Sequence, residues 1–325
     1  MTDRRMLIRS VLGLIGAPFL AHAQAPRPVG KIGYLALDPP NSANVNNSNV
    51  RLLRPAWQRL GYVEGETMLL RFADRDAQRL PPLVAELIAL KVGVLIVVGG
   101  EALRIVSRVT GVPPIVALDL ETDPVRSGLA ASFARPGGNV TGLFMDQPSL
   151  AGKWVELLRE AAPTIERVAL LWDSGTGRDQ LEIGQAGARG KGLETVVVEF
   201  SAVTNFDDAL RGLGRQQRTG VVVLTSPNFP RGNFAAAAQK HRLPSISFQA
   251  NQAQAGVLMS YGPNREAYFP RVVVIADKIL KGEKPGDIPI EQPNKFEYVV
   301  NLKTAKAIGL TISQSLLSRA DEVLQ

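Results

Sequence analysis

The stretch that decides the fold is Gly256–Leu310, GVLMSYGPNREAYFPRVVVIADKILKGEKPGDIPIEQPNKFEYVVNLKTAKAIGL. It opens as a strand and turns at Gly262-Pro263. A helix follows, on which Tyr268, Val272, Ile275 and Ile279 fall at i, i+4, i+7 and i+11, one apolar stripe. Pro270 is costly inside a helix, so this one is expected to begin near Phe269 with Pro270 in its first turn. A Pro-rich link (Lys284–Pro293) then leads to a second strand and helix. In a two-lobed α/β chain this order lets the polypeptide leave one lobe, visit the other and return, as in a hinged clamp.

Ahead of this stretch, strands and helices alternate on both sides of a central corner. Upstream, β-like runs at Val29–Leu37, Met68–Phe72, Val94–Val98 and Ile115–Leu118 are separated by helical spacings. These are Arg51–Leu60, where Arg54-Pro55 is expected to interrupt the helix, then Leu83/Leu87/Leu90 with Pro81 and Pro82 in the first turn, and Ala102–Val109. The unbroken apolar run Val94–Val98 suits a parallel strand buried on both faces. Downstream come strands Val168–Trp172, Thr195–Phe200, Val221–Leu224, Ser245–Phe248 and Val257–Ser260, with helices Asp179–Lys191, Phe206–Gln217 and Asn233–His241 between them. Arg135-Pro136-Gly137-Gly138-Asn139-Val140-Thr141-Gly142 joins the halves. The pattern predicts an α/β fold of two Rossmann-like, doubly wound lobes.

The first residues read as an export signal: Arg4, Arg5 and Arg9, an apolar run near Val11–Leu20, and an Ala21-His22-Ala23 cleavage site. The run is shorter than the roughly 20 residues a bilayer span needs. Thr2-Asp3-Arg4-Arg5-Met6-Leu7 also fits a twin-arginine signal, and the sequence leaves the two export routes open. Cleavage after Ala23 removes three Arg and one Asp and lowers the formal charge from +7 to +5. The charges are scattered, without a basic block or basic-aromatic interleaving for nucleic acid. With no Cys, disulfides, thiolate metal sites, a Cys nucleophile and a lipidated mature N-terminus are all excluded.

Catalytic machinery is sparse. His22 leaves with the signal, and His241 alone builds neither a His-based metal site nor a triad, for which no Gly-x-Ser-x-Gly elbow exists. Neither phosphate-cradling glycine motif occurs, so no cofactor is expected. Gly99-Gly100-Glu101 follows a buried strand and opens a helix, either as an anion-facing turn or as a plain tight turn. Asp119, Glu121 and Asp123 follow another strand. They lack the calcium-loop pattern, so Asp123 is expected either to meet a ligand ammonium at the cleft or to be solvated. Trp57, Trp154 and Trp172 are expected in the core, with Trp172 best placed to reach a cleft.

At RPGGNVTG (Arg135–Gly142), GVLMSYGPN (Gly256–Asn264) and the tail Ala276–Leu310 the chain closely resembles one family, the ABC-transporter substrate-binding proteins with the type I periplasmic-binding fold. Weaker matches at Leu60–Gly65, Leu80–Leu90 and Lys240–Pro244 extend the resemblance over nearly the whole mature chain. It implies passages between lobes near Gly142–Leu143, Gly262–Pro263 and Asp287–Ile288. The expected N-terminal lobe is 29–142 plus 263–287, and the C-terminal lobe 143–262 plus 288–325. The chain departs from the family at Gly99-Gly100-Glu101, where Gly-Thr-Pro is common, at the Asn-rich loop after Asp38, and at Ser226-Pro227-Asn228-Phe229.

The resemblance implies a monomeric, periplasmic solute receptor that passes a small organic ligand, an amino acid or a related carboxylate or amide, to the membrane permease of an ABC importer. Asp38, Ser42, Gly99, Gly100, Glu101, Asp123, Met145, Gln147, Ser174, Ser226, Asn228, Phe248, Gln249 and Tyr261 are expected to line its cleft, with Tyr261 and Phe248 covering the apolar part of the ligand. No catalytic residue, metal or nucleic-acid partner is expected. The alternatives are a sensor of the same fold that signals to a membrane protein, and a secreted α/β enzyme.

Overall fold

The computed structural model describes residues 30–37, 46–119, 123–144, 148–176, 178–201, 203–215, 218–226, 229 and 231–325. The export signal therefore lies outside the described residues, as do Asp38, Ser42, Met145, Gln147 and Asn228. No helix among the described residues is long and apolar enough to cross a membrane.

The N-terminal lobe is built on a wholly parallel sheet of order β2-β1-β3-β4-β5: β1 Ile32–Ala36, β2 Met68–Phe72, β3 Val94–Val98, β4 Ile115–Asp119 and β5 Val140–Phe144. Its helices are α1 Asn46–Arg59, α2 Leu80–Ala89 and α3 Gly100–Val106. β3 shows why a run with no polar residue is a strand here. Val94 and Ile96 join the core with α1, while Leu95 and Val97 join the opposite core with α2 and α3. Period-two alternation gives each face its own apolar layer.

In the C-terminal lobe the sheet order is β12-β11-β10-β9-β8-β6-β7, where β11 is Phe296–Asn301 and β12 Glu322–Leu324, with only β10 and β11 antiparallel. Its elements run α4 Pro148–Ala161, β6 Arg167–Asp173, α5 Asp179–Gly190, β7 Glu194–Phe200, α6 Phe206–Arg215 and β8 Thr219–Val223. They continue with α7 Arg231–Lys240, β9 Ser245–Ser247, α8 Ala250–Gln254 and β10 Met259–Pro263. One core lies under α4 and α5, around Trp154, Leu158 and Leu181; the other lies under α6 and α7, around Phe206, Phe229 and Phe234. The two-lobed, doubly wound class expected from the sequence is the class observed.

Three segments connect the lobes. The first follows β5. The second leaves β10 at Asn264, whose side chain caps the short helix α9 Arg265–Tyr268 through the Ala267 N–H, and α10 Arg271–Leu280 then packs on the N-terminal sheet. Tyr268, Val272, Ile275 and Ile279 are all buried there. Pro270 stands just ahead of α10, where its missing N–H costs nothing.

The third passage comes later than Asp287–Ile288. Ile288 and Ile290 fill the N-terminal cores, Thr141 Oγ1 donates to the Ile288 carbonyl (2.8 Å), and the Glu291 N–H donates to the Gly142 carbonyl (2.9 Å). The chain therefore crosses between Gln292 and Lys295, where the Asn264 N–H meets the Lys295 carbonyl (3.0 Å). It then forms β11 Phe296–Asn301, α11 Leu302–Ile308, α12 Gln314–Leu317 and β12 Glu322–Leu324.

The helix before Leu60 also differs from expectation. α1 runs unbroken through Pro55. Leu53, Ala56 and Trp57 on its inner face are buried, and that burial outweighs the missing hydrogen bond.

Candidate ligand-binding cleft

In a doubly wound sheet the strand order reverses at one place, and the loops leaving the two strands there diverge to form a crevice. In the N-terminal lobe the reversal lies between β1 and β3, in the C-terminal lobe between β6 and β8. Loops from both lobes border one cavity of about 1510 Å³, with Gly100, Glu101 and Asp123 on one wall and Asp173, Gly175 and Thr176 on the other.

On the N-terminal wall, Gly99 turns from β3 into α3 at φ +87°, a conformation that side chains rarely adopt. Gly100 and the exposed Glu101 follow in the cleft. α3 has only seven residues, so the turn stands as a backbone approach and not as a helix-dipole anion site. The Asp123 carboxylate is committed to shape: Oδ1 accepts from the N–H groups of Val125 (2.8 Å) and Arg126 (3.1 Å). This fixes the turn that leads to Leu129. Asp119 belongs to β4 and Glu121 lies outside the described residues, so the three alternate acids form no described cluster; among the described residues no group of acids and His could hold a metal.

The chief polar feature of the C-terminal wall is Asp173, the last residue of β6. It is 6% exposed and borders the cavity. Its Oδ1 accepts from the Gly175 N–H (2.8 Å) and its Oδ2 from the Ser226 hydroxyl (2.5 Å), while Thr176 Oγ1 donates to its carbonyl (2.7 Å). Ser226 leaves β8 at the same switch point and braces Asp173 from behind; the exposed Ser174 lies in the turn between Asp173 and Gly175. Ser174 was the residue expected at this turn; the one that borders the cavity there is its neighbour Asp173. The signal was present, since an acid that ends an apolar parallel strand sits at the strand's cleft end.

The remaining expected residues serve the C-terminal lobe and the hinge. Phe248 is 5% exposed, packs edge-on against Trp154 (6.1 Å) and belongs to the core. Gln249 caps α8, its N–H reaching Gln252 Oε1 (3.4 Å). Tyr261 is half-buried and stacks on Phe296 (5.6 Å, 12°), and its carbonyl accepts from the Trp154 indole (2.7 Å). None of the three borders the cavity formed by the described residues. Trp172 packs on the same core with the Arg178 guanidinium 5.4 Å above its ring, short of the cleft. His241, just past α7, serves the structure: its Nε2 lies 2.8 Å from Asp207 Oδ1 of α6 and ties the two helices together.

Charge across the cleft is uneven. Among the described residues, the charged ones bordering it from the C-terminal lobe are acids, namely Asp173, Asp179 and Glu182. Arg104, Arg108 and Arg126 face them from the N-terminal lobe, beside Glu101 and Asp123. Arg126 and Asp179 pair with each other across the mouth, so a solute with a cationic centre suits Asp173 and Glu182 on the C-terminal wall, and a negative group suits Arg104 and Arg108 on the other.

The family model for ABC transporter substrate binding proteins matches residues 48–324. A curated relative, the tyrosine-binding protein of Clostridioides difficile (strain R20291), is 22% identical over 257 residues, covering 77% of this chain and 73% of the relative. Among solved structures, the ABC domain in complex with L-Trp from Streptococcus pneumonia has a TM-score of 0.77 at 21% identity, covering 90% of this chain and all of that one. A conserved domain protein from Vibrio cholerae O1 biovar El Tor has a TM-score of 0.76 at 18% identity, covering 91% of this chain and 99% of that one.

Proposed function

This chain belongs to the ABC transporter substrate-binding proteins, a solute-binding family and not an enzyme family, and on that premise we propose that it captures a small amine-bearing solute, an amino acid or close relative, between its lobes. Delivery to the permease of an ABC importer, export by the N-terminal signal, action as a monomer and the absence of catalysis belong to the same proposal. The observation that carries it is the facing of the two switch points across one cavity, with the buried carboxylate of Asp173 at the C-terminal one. The tyrosine-binding relative and the L-Trp complex support an amino acid as the solute class.

Asp173 is oriented before any solute arrives, because Gly175 and Ser226 fix its plane. A solute ammonium placed there gains a charge-assisted hydrogen bond without reorganising the wall. With the lobes closed, the N-terminal wall stands across from it, where Gly99 lets the backbone come close.

A thermal-shift screen of the purified protein against L-amino acids, small amines and carboxylates tests this reading, since a solute that binds the native state raises its melting temperature by mass action. At least one amine-bearing solute is expected to give a saturable rise, and Asp173→Asn is expected to weaken its binding about ten- to a hundredfold. Equal affinity in the Asp173→Asn protein removes Asp173 from the site. Turnover of a solute, or a response confined to solutes without an amine, overturns the proposal.

A further inference from the structure

Arg126 is held at the cleft mouth by a heavily bonded turn. Besides the two N–H groups that Asp123 Oδ1 takes, the Ser127 N–H (3.0 Å) and hydroxyl (2.7 Å) donate to the Asp123 carbonyl, and the Leu129 and Ala130 N–H groups donate to the Pro124 carbonyl (2.9 Å each). From that turn the guanidinium reaches the other lobe and donates to the Asp179 carboxylate. Its Nε also lies 3.9 Å from Asp123 Oδ2 in its own lobe. Asp179 opens the twelve-residue helix α5, where the helix dipole also favours a negative charge. Arg126 thus has one anionic partner in each lobe. If the lobes part it keeps Asp123, and if they meet it gains Asp179.

We propose that Arg126 and Asp179 form an ionic clasp that biases the cleft toward closure and so retains a captured solute without recognising it. The pair is exposed, 66% for the Arg126 side chain and 36% for Asp179. Water and salt therefore limit the bias to about two- to fivefold in the closed-to-open ratio. For a bound solute the effect falls on escape, because arrival takes place in the open form. The clasp needs only the two-lobed hinge, so its test is read without any solute and stands or falls separately from the solute assignment.

The sequence has no Cys, which allows clean labelling. Thr110→Cys in the N-terminal lobe and Ala186→Cys on α5 are exposed positions for spin labels, and pulsed EPR reads the distance distribution between them. The native pair is expected to show a larger short-distance population than Arg126→Ala or Asp179→Asn, with the double variant no more open than either single one. Raising NaCl from about 20 mM to about 500 mM, which shortens the Debye length several-fold, should open the native pair and leave the double variant unchanged. Native-like distributions in either single variant, additive opening in the double variant, or indifference of the native pair to salt each overturn the clasp. Unchanged melting temperatures of these surface variants show that the distances report lobe position and not unfolding.

Discussion

Asp277 lies on the inner side of α10, 6% exposed, where its carboxylate accepts from the Tyr62 hydroxyl (2.9 Å) and from Lys281 Nζ (2.7 Å). Burial, and after it the Asp277 carboxylate, push the Tyr62 phenol far above its usual range and keep it a donor. Asp277→Ala leaves that hydroxyl buried without its partner and should cost about 1–3 kcal/mol in urea unfolding, while Asp277→Asn, which keeps an acceptor, should cost clearly less. A second residue sets a pH window. The Lys240 ammonium, and after it His241, hold the Asp207 carboxyl below its ordinary value. A depressed folded-state pKa contributes stability that is complete above the ordinary carboxylate range, near about 4, and lost as pH falls through the lowered value. Urea midpoints should therefore drop between about pH 5 and pH 3, and Asp207→Asn should flatten that drop. An identical pH profile in Asp207→Asn would count against this role.

Among the elements, β5 shows how closely backbones approach at the first passage. Gly142 has φ +133°, and a Cβ there would stand 2.2 Å from the Ala117 carbonyl of β4. Gly142→Ala should thus displace β5 from β4 and destabilise the protein by about 2–4 kcal/mol, read as a lower urea midpoint at unchanged slope. That glycine was legible in the sequence as part of a turn-rich corner, though the strand contact that demands it was not. Long apolar runs and helix starts were equally legible: β3 lies where an unbroken Val/Leu/Ile run put it, and Pro81 and Pro82 stand in the first turn of α2. The late third passage was hidden because Ile288 and Ile290 look like any Pro-flanked link until the N-terminal cores that take them are assembled. For the cleft, the rule that parallel strands end at the ligand side brought Gly100, Glu101 and Asp123 to one wall. The rule does not say which way an aromatic side chain turns. Phe248 and Tyr261 share the strand parity of Ile246 and Met259, and both pack against the core under α4. The Arg126–Asp179 pair joins residues 53 apart on different lobes, a contact no local pattern predicts.

For the whole molecule, the working parts are two α/β lobes, three connecting segments and a cleft that, among the described residues, has acids on its C-terminal wall and charges of both signs on the N-terminal one. The lobes have separate cores, each sheet covered by apolar layers on both faces. The second and third connections leave the C-terminal sheet side by side, where the Asn264 N–H meets the Lys295 carbonyl (3.0 Å) and Tyr261 stacks on Phe296. Hinge motion at such segments moves one lobe against the other without breaking either core. A solute bridging Asp173 and the N-terminal wall should convert that freedom into one closed form. Small-angle X-ray scattering of the purified protein, with and without a saturating amino acid or amine that raises its melting temperature, tests this most directly. A smaller radius of gyration is expected with solute bound, and no contraction in Asp173→Asn at the same concentration; a radius of gyration unchanged at full occupancy of the native protein rules out solute-driven closure.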